Sequence, residues 1–235
     1  MKKKLGILGG MGPLASKVFY ERITNNTLAA SDNDHIDIML LSHASIPDRT
    51  KVILENRDHS EIIDPVRKDI RAFESYGVEN IAVACNTFHY FLEEVEKLTS
   101  ISFINMIDLA SFDAKKLGNK VTVLGTTGTL QTGIYDKYIK KYGLDQLKVD
   151  DQIAKKLMDT IYHIKATNDT NFKDFNEICR YYLDKGSVPL IACTELSTIN
   201  LEKDIEDKVV DALSVLTREC ILRSGYKLKY KKIIH

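Results

Sequence analysis

Short apolar stretches rich in β-branched residues alternate along the chain with longer segments in which apolar residues recur every three or four positions. The short stretches have the length of buried strands, and the longer ones have the periodicity of amphipathic helices. Alternation of this kind is typical of crossover units and a mainly parallel sheet. The pattern therefore predicts an α/β protein with these strands: Lys4–Leu8, Ile36–Leu41, Asn80–Ala84, Ile101–Ile107, Lys120–Leu124, Gln146–Val149 and Val188–Ala192.

Glycine and proline mark the expected ends of the helices. Glycine commonly follows the last residue of a helix, and the amphipathic segments are followed by Gly77, Gly118, Gly143, Gly186 and Gly225. Proline is tolerated in a first helical turn because its missing N–H costs little there. We therefore expect helices to begin near Pro13 and Pro65, and a last helix to run from about Asp204 to Ser224.

The chain contains an internal repeat. The segment KLGILGGMGPL, which begins at Lys4, matches KVTVLGTTGTL, which begins at Lys120. Later in each half an apolar stretch runs into a cysteine, Cys85 in IAVACNT and Cys193 in LIACTE. Repeated order of this kind indicates duplicated structural units. We expect two similar α/β lobes related by a pseudo-twofold axis, one formed by residues 1–100 with 208–235 and the other by residues 101–207, the C-terminal helix folding back on the first.

The repeat places one cysteine at the end of a strand in each lobe. Ligands of open α/β sheets bind beyond the carboxyl ends of the strands, so lobes that face each other would put Cys85 and Cys193 on opposite walls of one cleft. Free backbone N–H groups at such positions favour the thiolate form. Cys179 and Cys220 lie instead within helical patterns, where a cysteine usually serves as a small buried hydrophobe.

Composition narrows the class of protein. The chain is 44% hydrophobic and 28% charged, as in ordinary globular proteins. Its 33 basic residues balance 33 acidic ones, which provides no bulk attraction to nucleic acid or to an anionic membrane. No apolar run approaches the roughly 18 residues of a membrane span. Together with four widely spaced cysteines, which suit a reducing compartment, this predicts a cytoplasmic protein that binds neither nucleic acid nor a membrane.

Two thiols on opposite walls suit proton transfer at both faces of one carbon. A thiolate can remove a proton from one side while a thiol delivers one from the other, which inverts the configuration. Two other interpretations stay open. Gly10-x-Gly12-x-x-Ala15 formally matches a dinucleotide fingerprint, although its loop amides could equally hold a carboxylate. Cys85 and His89 could bind zinc with Cys193 and Glu195.

Three segments together resemble the cofactor-independent aspartate/glutamate racemases: GILGGMGPLAS at 6–16, ACNTFH at 84–89 and ACTELS at 192–197. Gly9-Gly10 stands where glutamate racemases typically carry an Asp-Ser pair, so the chain is most similar to the aspartate branch. The resemblance covers nearly the whole chain. It implies racemisation of aspartate without pyridoxal phosphate, metal or nucleotide, in a homodimer.

The resemblance also implies roles for individual residues. Cys85 and Cys193 would be the two acid–base groups, and Arg49 and Lys165 would bind the substrate carboxylates. Positions that line the site in the family correspond to Asn86, Thr87, Thr127, Thr194 and Glu195. Met11 at the tip of the glycine-rich loop is expected to form part of the pocket wall. The alternatives are another acidic or hydantoin-type substrate, or a small-ligand or nucleotide-binding module with redox-sensitive cysteines.

Overall fold

The computed structural model describes residues 2–233, which form two four-stranded parallel sheets. The strands are β1 (Leu5–Gly9), β2 (Ile38–Ser42), β3 (Asn80–Val83), β4 (Ser102–Phe103), β5 (Lys120–Gly125), β6 (Asp145–Gln146), β7 (Val188–Ala192) and β8 (Val210–Asp211). The first sheet has the order β2-β1-β3-β4 and the second the order β6-β5-β7-β8. The same arrangement thus occurs twice, which confirms the prediction of an α/β fold with two similar lobes and mainly parallel sheets.

Helices connect the strands as crossovers. They are α1 (Pro13–Asn26), α2 (Arg49–Leu54), α3 (Ser60–Tyr76), α4 (Leu92–Val95), α5 (Met106–Leu117), α6 (Thr127–Thr132), α7 (Asp136–Lys141), α8 (Asp151–Thr167), α9 (Lys173–Asp184) and α10 (Ala212–Arg223). Within residues 2–233, no helix combines the length and apolar character needed to cross a membrane.

Proline marks the start of one predicted helix but not of the other. Pro13 is the first residue of α1, as predicted. Pro65 lies inside α3, which begins five residues earlier at Ser60, so that expectation is wrong. The apolar face of α3 runs through the proline from Ile62 to Phe73 and is buried along that length, which holds the helix together across the missing backbone hydrogen bond.

Capping side chains shorten two of the predicted elements. The strand expected over Ile101–Ile107 ends at Phe103, because the Asn105 side chain accepts hydrogen bonds from the N–H groups of Ile107 and Asp108 and starts α5. The helix expected from Asp204 begins only at Ala212. The Asp211 side chain caps it by accepting from the Leu213 N–H.

The last strand of each sheet lies across an expected lobe boundary. Residues 102–103 form β4, which pairs with β3 in the first sheet, and residues 210–211 form β8, which pairs with β7 in the second. The expected boundaries at residues 101 and 208 assign each of these strands to the other lobe. β4 and β8 are the edge strands of their sheets. The helices that follow them, α5 and α10, pack against each other between the sheets. We call the part of the chain built on the first sheet the first lobe, and the part built on the second sheet the second lobe.

One apolar core extends across both sheets. It contains Ile7 of β1, Val123 of β5, Phe19 of α1, Ile107 of α5 and Leu213 of α10, all at most 3% exposed. Two further apolar clusters lie outside this core, one on the outer face of each sheet. Because the shared core includes side chains from both lobes, burial of apolar surface fixes the lobes against each other.

A buried ion pair fastens α1 to the second lobe. Arg22 donates to the Asp211 carboxylate at 2.7 Å, and the two side chains are only 4% and 6% exposed. Arg22 also donates to the carbonyl of Ser197, whose hydroxyl donates to Asp211 at 2.5 Å. The Ser197 N–H in turn donates to the Cys193 carbonyl at 3.1 Å. The pair therefore holds the turn that carries Cys193.

Replacing Arg22 with methionine should leave Asp211 charged and buried without its guanidinium. The expected loss in the free energy of unfolding is about 3–5 kcal/mol, measured by urea denaturation. Arg57→Met is the matched control, since Arg57 pairs with Glu61 at the surface, and it should cost far less. Equal losses in the two variants would contradict this role for Arg22.

Candidate active site

The carboxyl ends of β3 and β7 meet at a narrow cleft between the lobes. Cys85 lies two residues past β3, and Cys193 directly follows β7. Both cysteines line the cleft and are buried, at 6% and 4% exposure. The structure brings the predicted site residues together here, apart from Thr127: Met11, Arg49, Asn86, Thr87, Lys165, Thr194 and Glu195.

Thr126 lines the cleft in place of Thr127. Thr126 caps α6 by accepting from the Thr129 N–H, whereas the N–H of Thr127 donates to the sulfur of Met158. Thr127, which the resemblance implies as a site residue, is not among the residues that line the cleft. The sequence prediction also missed Asp48 and Thr50, although both flank Arg49 in the chain. That adjacency was the available signal.

Hydrogen bonds across the base of the cleft join the lobes. The hydroxyl of Thr194, next to Cys193, donates to the carbonyl of Ala84, next to Cys85, at 3.2 Å. Thr87 shares hydrogen bonds with the hydroxyls of Thr126 and Thr129 at 3.0 and 3.1 Å. These contacts hold the two cysteine-bearing turns in a fixed relation.

Close packing between α2 and α6 closes one side of the cleft. A Cβ atom at Gly128 would come within 2.9 Å of the Thr50 hydroxyl, so only glycine permits this approach of the two helices. Thr50 and Arg49 belong to the same turn of the first lobe. The contact therefore fixes the position of Arg49 relative to the second lobe.

Cys193 is held as a thiol beside a carboxylate. Its sulfur donates to Oε2 of Glu195 at 3.1 Å, and Glu195 is only 3% exposed. Burial and the negative charge of Glu195 raise the pKa of Cys193 well above its ordinary value, against the opposing effect of Lys165. The expectation that this position favours thiolate is wrong, because burial and the carboxylate outweigh the neighbouring amides.

The other oxygen of Glu195 lacks a hydrogen bond. Oε1 is buried and has no partner among residues 2–233. A Cβ atom at position 12 would approach this oxygen to 2.9 Å, so Gly12 leaves room for it. A buried carboxylate oxygen without a donor is energetically costly. It is therefore suited to accept from a cationic group that enters the cleft.

Two cations line the cleft together with this carboxylate, one from each lobe. Arg49, 6% exposed, donates to the carbonyls of Met11 and Pro47 at 2.8 Å each. The Nζ atom of Lys165 lies 3.8 Å from Oδ2 of Asp48. Burial disfavours the charged form of Lys165, but the negative charges of Glu195 and its neighbours outweigh this effect and raise its pKa. Lys165 therefore stays positively charged, as recognition of carboxylates requires.

His89 serves the fold rather than a metal. Its Nδ1 donates to the Cys85 carbonyl at 2.9 Å, and its Nε2 accepts from the Met106 N–H at 3.3 Å. Both ring nitrogens are thus occupied, which excludes the zinc arrangement that paired His89 with Cys85. No group of three or more histidine, cysteine, aspartate or glutamate residues within positions 2–233 is placed to share a metal ion.

The remaining cysteines are structural, as predicted. Cys179 and Cys220 are fully buried within α9 and α10. Burial raises the pKa of Cys179 to about 12 and that of Cys220 further. Neither thiol reaches the cleft.

Comparison with known proteins gives consistent similarities. Residues 8–220 match the Asp/Glu/Hydantoin racemase family. The structure of Picrophilus torridus aspartate racemase is 33% identical, with 96% of each chain covered and a TM-score of 0.81. An aspartate racemase homologue from Pyrococcus horikoshii OT3 is 24% identical, with 95% of this chain and 99% of that chain covered and a TM-score of 0.76. The broad specificity amino-acid racemase RacX of Bacillus subtilis (strain 168) is 25% identical over 226 residues, 92% of this chain and 96% of the relative.

Acid should weaken the fold through His89. Burial lowers the pKa of His89 to about 4, whereas histidine in an unfolded chain titrates near about 6.5. Between these values the unfolded chain binds a proton that the folded chain does not, so the free energy of unfolding decreases as pH falls through this window. We expect this histidine to account for a loss of roughly 2 kcal/mol between pH 7.5 and pH 5.

Urea denaturation at the two pH values measures this effect. His89→Asn keeps a donor for the Cys85 carbonyl but does not titrate, so its stability should change less with pH by that amount. His59→Asn is the control, because His59 is partly exposed and pairs with Glu94 near the surface. An unchanged pH dependence in His89→Asn would contradict the assignment.

Proposed function

This chain belongs to the Asp/Glu/Hydantoin racemase family, and on that premise we propose that it interconverts L- and D-aspartate by proton transfer through Cys85 and Cys193. The placement of the two thiols is the main support for this proposal. They follow equivalent strands of two similar lobes and line one cleft. Racemisation needs a group on each face of the α-carbon, and two facing thiols supply both.

The proposed step transfers one proton in and one proton out. The thiolate of one cysteine takes the α-proton, and the electron pair of the C–H bond stays on the substrate as a carbanion. The opposite thiol then gives its proton to the other face of the α-carbon and becomes the thiolate. Because Cys193 holds its proton beside Glu195, it is assigned as the proton donor in this step.

The charged residues divide the recognition of aspartate between them. Arg49 and Lys165 take the two carboxylates, one cation from each lobe. The free oxygen of Glu195 accepts the α-ammonium group. An ammonium at this carboxylate offsets the negative charge that raises the Cys193 pKa. Substrate binding therefore eases the release of the Cys193 proton, which the transfer requires.

Two similarities bear on the substrate. The relative from Picrophilus torridus, 33% identical, is an aspartate racemase, and its likeness favours aspartate. The relative from Bacillus subtilis is a broad specificity amino-acid racemase, and its likeness over nearly the whole chain supports a wider range of amino acids as the second candidate. Homodimer formation and cytoplasmic location stay predictions.

The test of the proposed function is a circular-dichroism time course. Purified, chelator-treated protein is mixed without added cofactor with L-aspartate, and separately with L-glutamate and a panel of other L-amino acids. Decay of the aspartate signal to zero is the expected result. Decay with many amino acids would favour the broader racemase, and decay with glutamate alone would move the assignment to that substrate. No decay with any of them would contradict the proposal.

Alanine at either cysteine should abolish racemisation. Loss of a general acid–base group typically costs 10²- to 10⁴-fold in rate, and here each turnover uses both groups. Cys179→Ala is the matched control, since that thiol is buried in α9 away from the cleft, and it should leave the rate unchanged. A Cys85→Ala enzyme that racemised aspartate at a near-normal rate would contradict the two-thiol mechanism.

Lys165→Met should weaken the binding of aspartate. The change removes one of the two carboxylate-binding cations, and a hydrogen bond to a charged group contributes about 1.5–3 kcal/mol. The KM for aspartate should therefore rise roughly 10- to 100-fold, with a smaller change in kcat. Lys155→Met on the exposed side of the same helix is the control. An unchanged KM in Lys165→Met would show that Lys165 does not bind the substrate.

A further inference from the structure

A buried tyrosine of the second lobe holds a side chain of the first-lobe wall. The hydroxyl of Tyr135 donates to Oδ1 of Asn86 at 2.5 Å. Tyr135 is 1% exposed and Asn86 is 2% exposed. Asn86 directly follows Cys85 and lines the cleft, whereas Tyr135 lies behind the cleft at the start of α7 and does not line it.

This hydrogen bond determines which way the Asn86 amide faces. Its oxygen is taken by Tyr135, and its nitrogen Nδ2 is buried without a partner among residues 2–233. If the amide were rotated by half a turn, its NH₂ group would face the tyrosine hydroxyl and this hydrogen bond would be lost. A buried hydroxyl without an acceptor is unfavourable.

We propose that Tyr135 is a positioning residue of the racemase: it locks the Asn86 amide so that Nδ2 donates to the α-carboxylate of the substrate. Negative charge builds up on that carboxylate when the α-proton leaves. A donor fixed in place before the reaction stabilises such charge most effectively. A rotated amide would turn its oxygen toward the same anion and repel it. The inference rests on the proposed racemisation but not on the choice of amino acid.

The surroundings of Tyr135 make it a rigid support. Gly133 adopts a left-handed conformation, with φ of 61°, at the end of α6 and turns the chain into α7. The carbonyl of Tyr135 accepts from the N–H groups of Tyr138 and Ile139, and its ring packs in the core shared by both lobes. Burial, with the charges of Asp211 and Cys193, raises the pKa of Tyr135 well above its ordinary value. The hydroxyl therefore remains a donor throughout the working pH range.

Tyr135→Phe is the first variant, measured with whichever amino acid the unmodified enzyme racemises. Loss of one fixed donor to a developing anion lowers kcat by about 10²- to 10³-fold. In Tyr135→Phe the amide is still present but free to rotate, so we expect a smaller decrease of roughly tenfold. The KM should change less than kcat, because the Asn86 contact strengthens as the proton leaves.

Two controls separate positioning from general damage to the fold. Tyr182→Phe removes another fully buried hydroxyl, which contacts Asp150 away from the cleft, and it should keep normal kcat despite a similar loss of thermal stability. Asn86→Ala should lower kcat more than Tyr135→Phe does. Adding Tyr135→Phe to Asn86→Ala should then reduce kcat no further, since the residue that Tyr135 positions is gone.

Failure of this inference differs from failure of the proposed function. An unmodified enzyme that racemises no amino acid would overturn the proposed function, and this inference with it. If the unmodified enzyme is active, a normal kcat in Tyr135→Phe would overturn the inference alone. So would a tenfold decrease that persists in the Asn86→Ala background, because Tyr135 would then act by a route other than Asn86.

Discussion

The hydrogen bond from the Thr194 hydroxyl to the Ala84 carbonyl, at 3.2 Å, joins the two halves of the molecule next to both cysteines. Two proton-transferring groups on separate lobes can serve one carbon only if the lobes keep a fixed distance. The apolar core shared by the sheets supplies the bulk of that constraint, and the Arg22–Asp211 pair restrains the turn after Cys193. The position of the chemistry thus depends on contacts between the lobes.

Burial sets the electrostatics of the cleft. Charged groups removed from water need partners. Arg49 and Glu195 are buried at the cleft, and the partly exposed Lys165 and Asp48 line it beside them. Three buried polar atoms of the cleft have no hydrogen-bond partner within the described residues: Glu195 Oε1, Arg49 Nε and Asn86 Nδ2. An amino acid with two carboxylates and an ammonium group has complementary atoms for each. These unpaired atoms would therefore contribute to the selection of the substrate.

Much of the fold follows from local sequence patterns, and so does the position of the cysteines. The internal repeat predicted two similar lobes, and the apolar runs predicted the long strands, because both features are encoded in consecutive residues. The two-residue strand β8 has no such pattern and depends on its neighbour β7. Thr126 and Tyr135 make their hydrogen bonds across the lobes, to Thr87 and Asn86, and no local pattern reports such contacts. The raised pKa of Cys193 arises in the same way, from burial beside Glu195.

The proposed two-thiol mechanism requires that different groups act on the two faces of the α-carbon. Early racemisation of L-aspartate in D₂O, followed by chiral separation and mass spectrometry, tests it most directly. A thiol that has exchanged with solvent delivers deuterium only to the face opposite the departing proton. We expect one α-deuterium in the D-aspartate formed and none in the remaining L-aspartate. Deuterium appearing equally in both enantiomers from the start would contradict two-thiol transfer and indicate a single base.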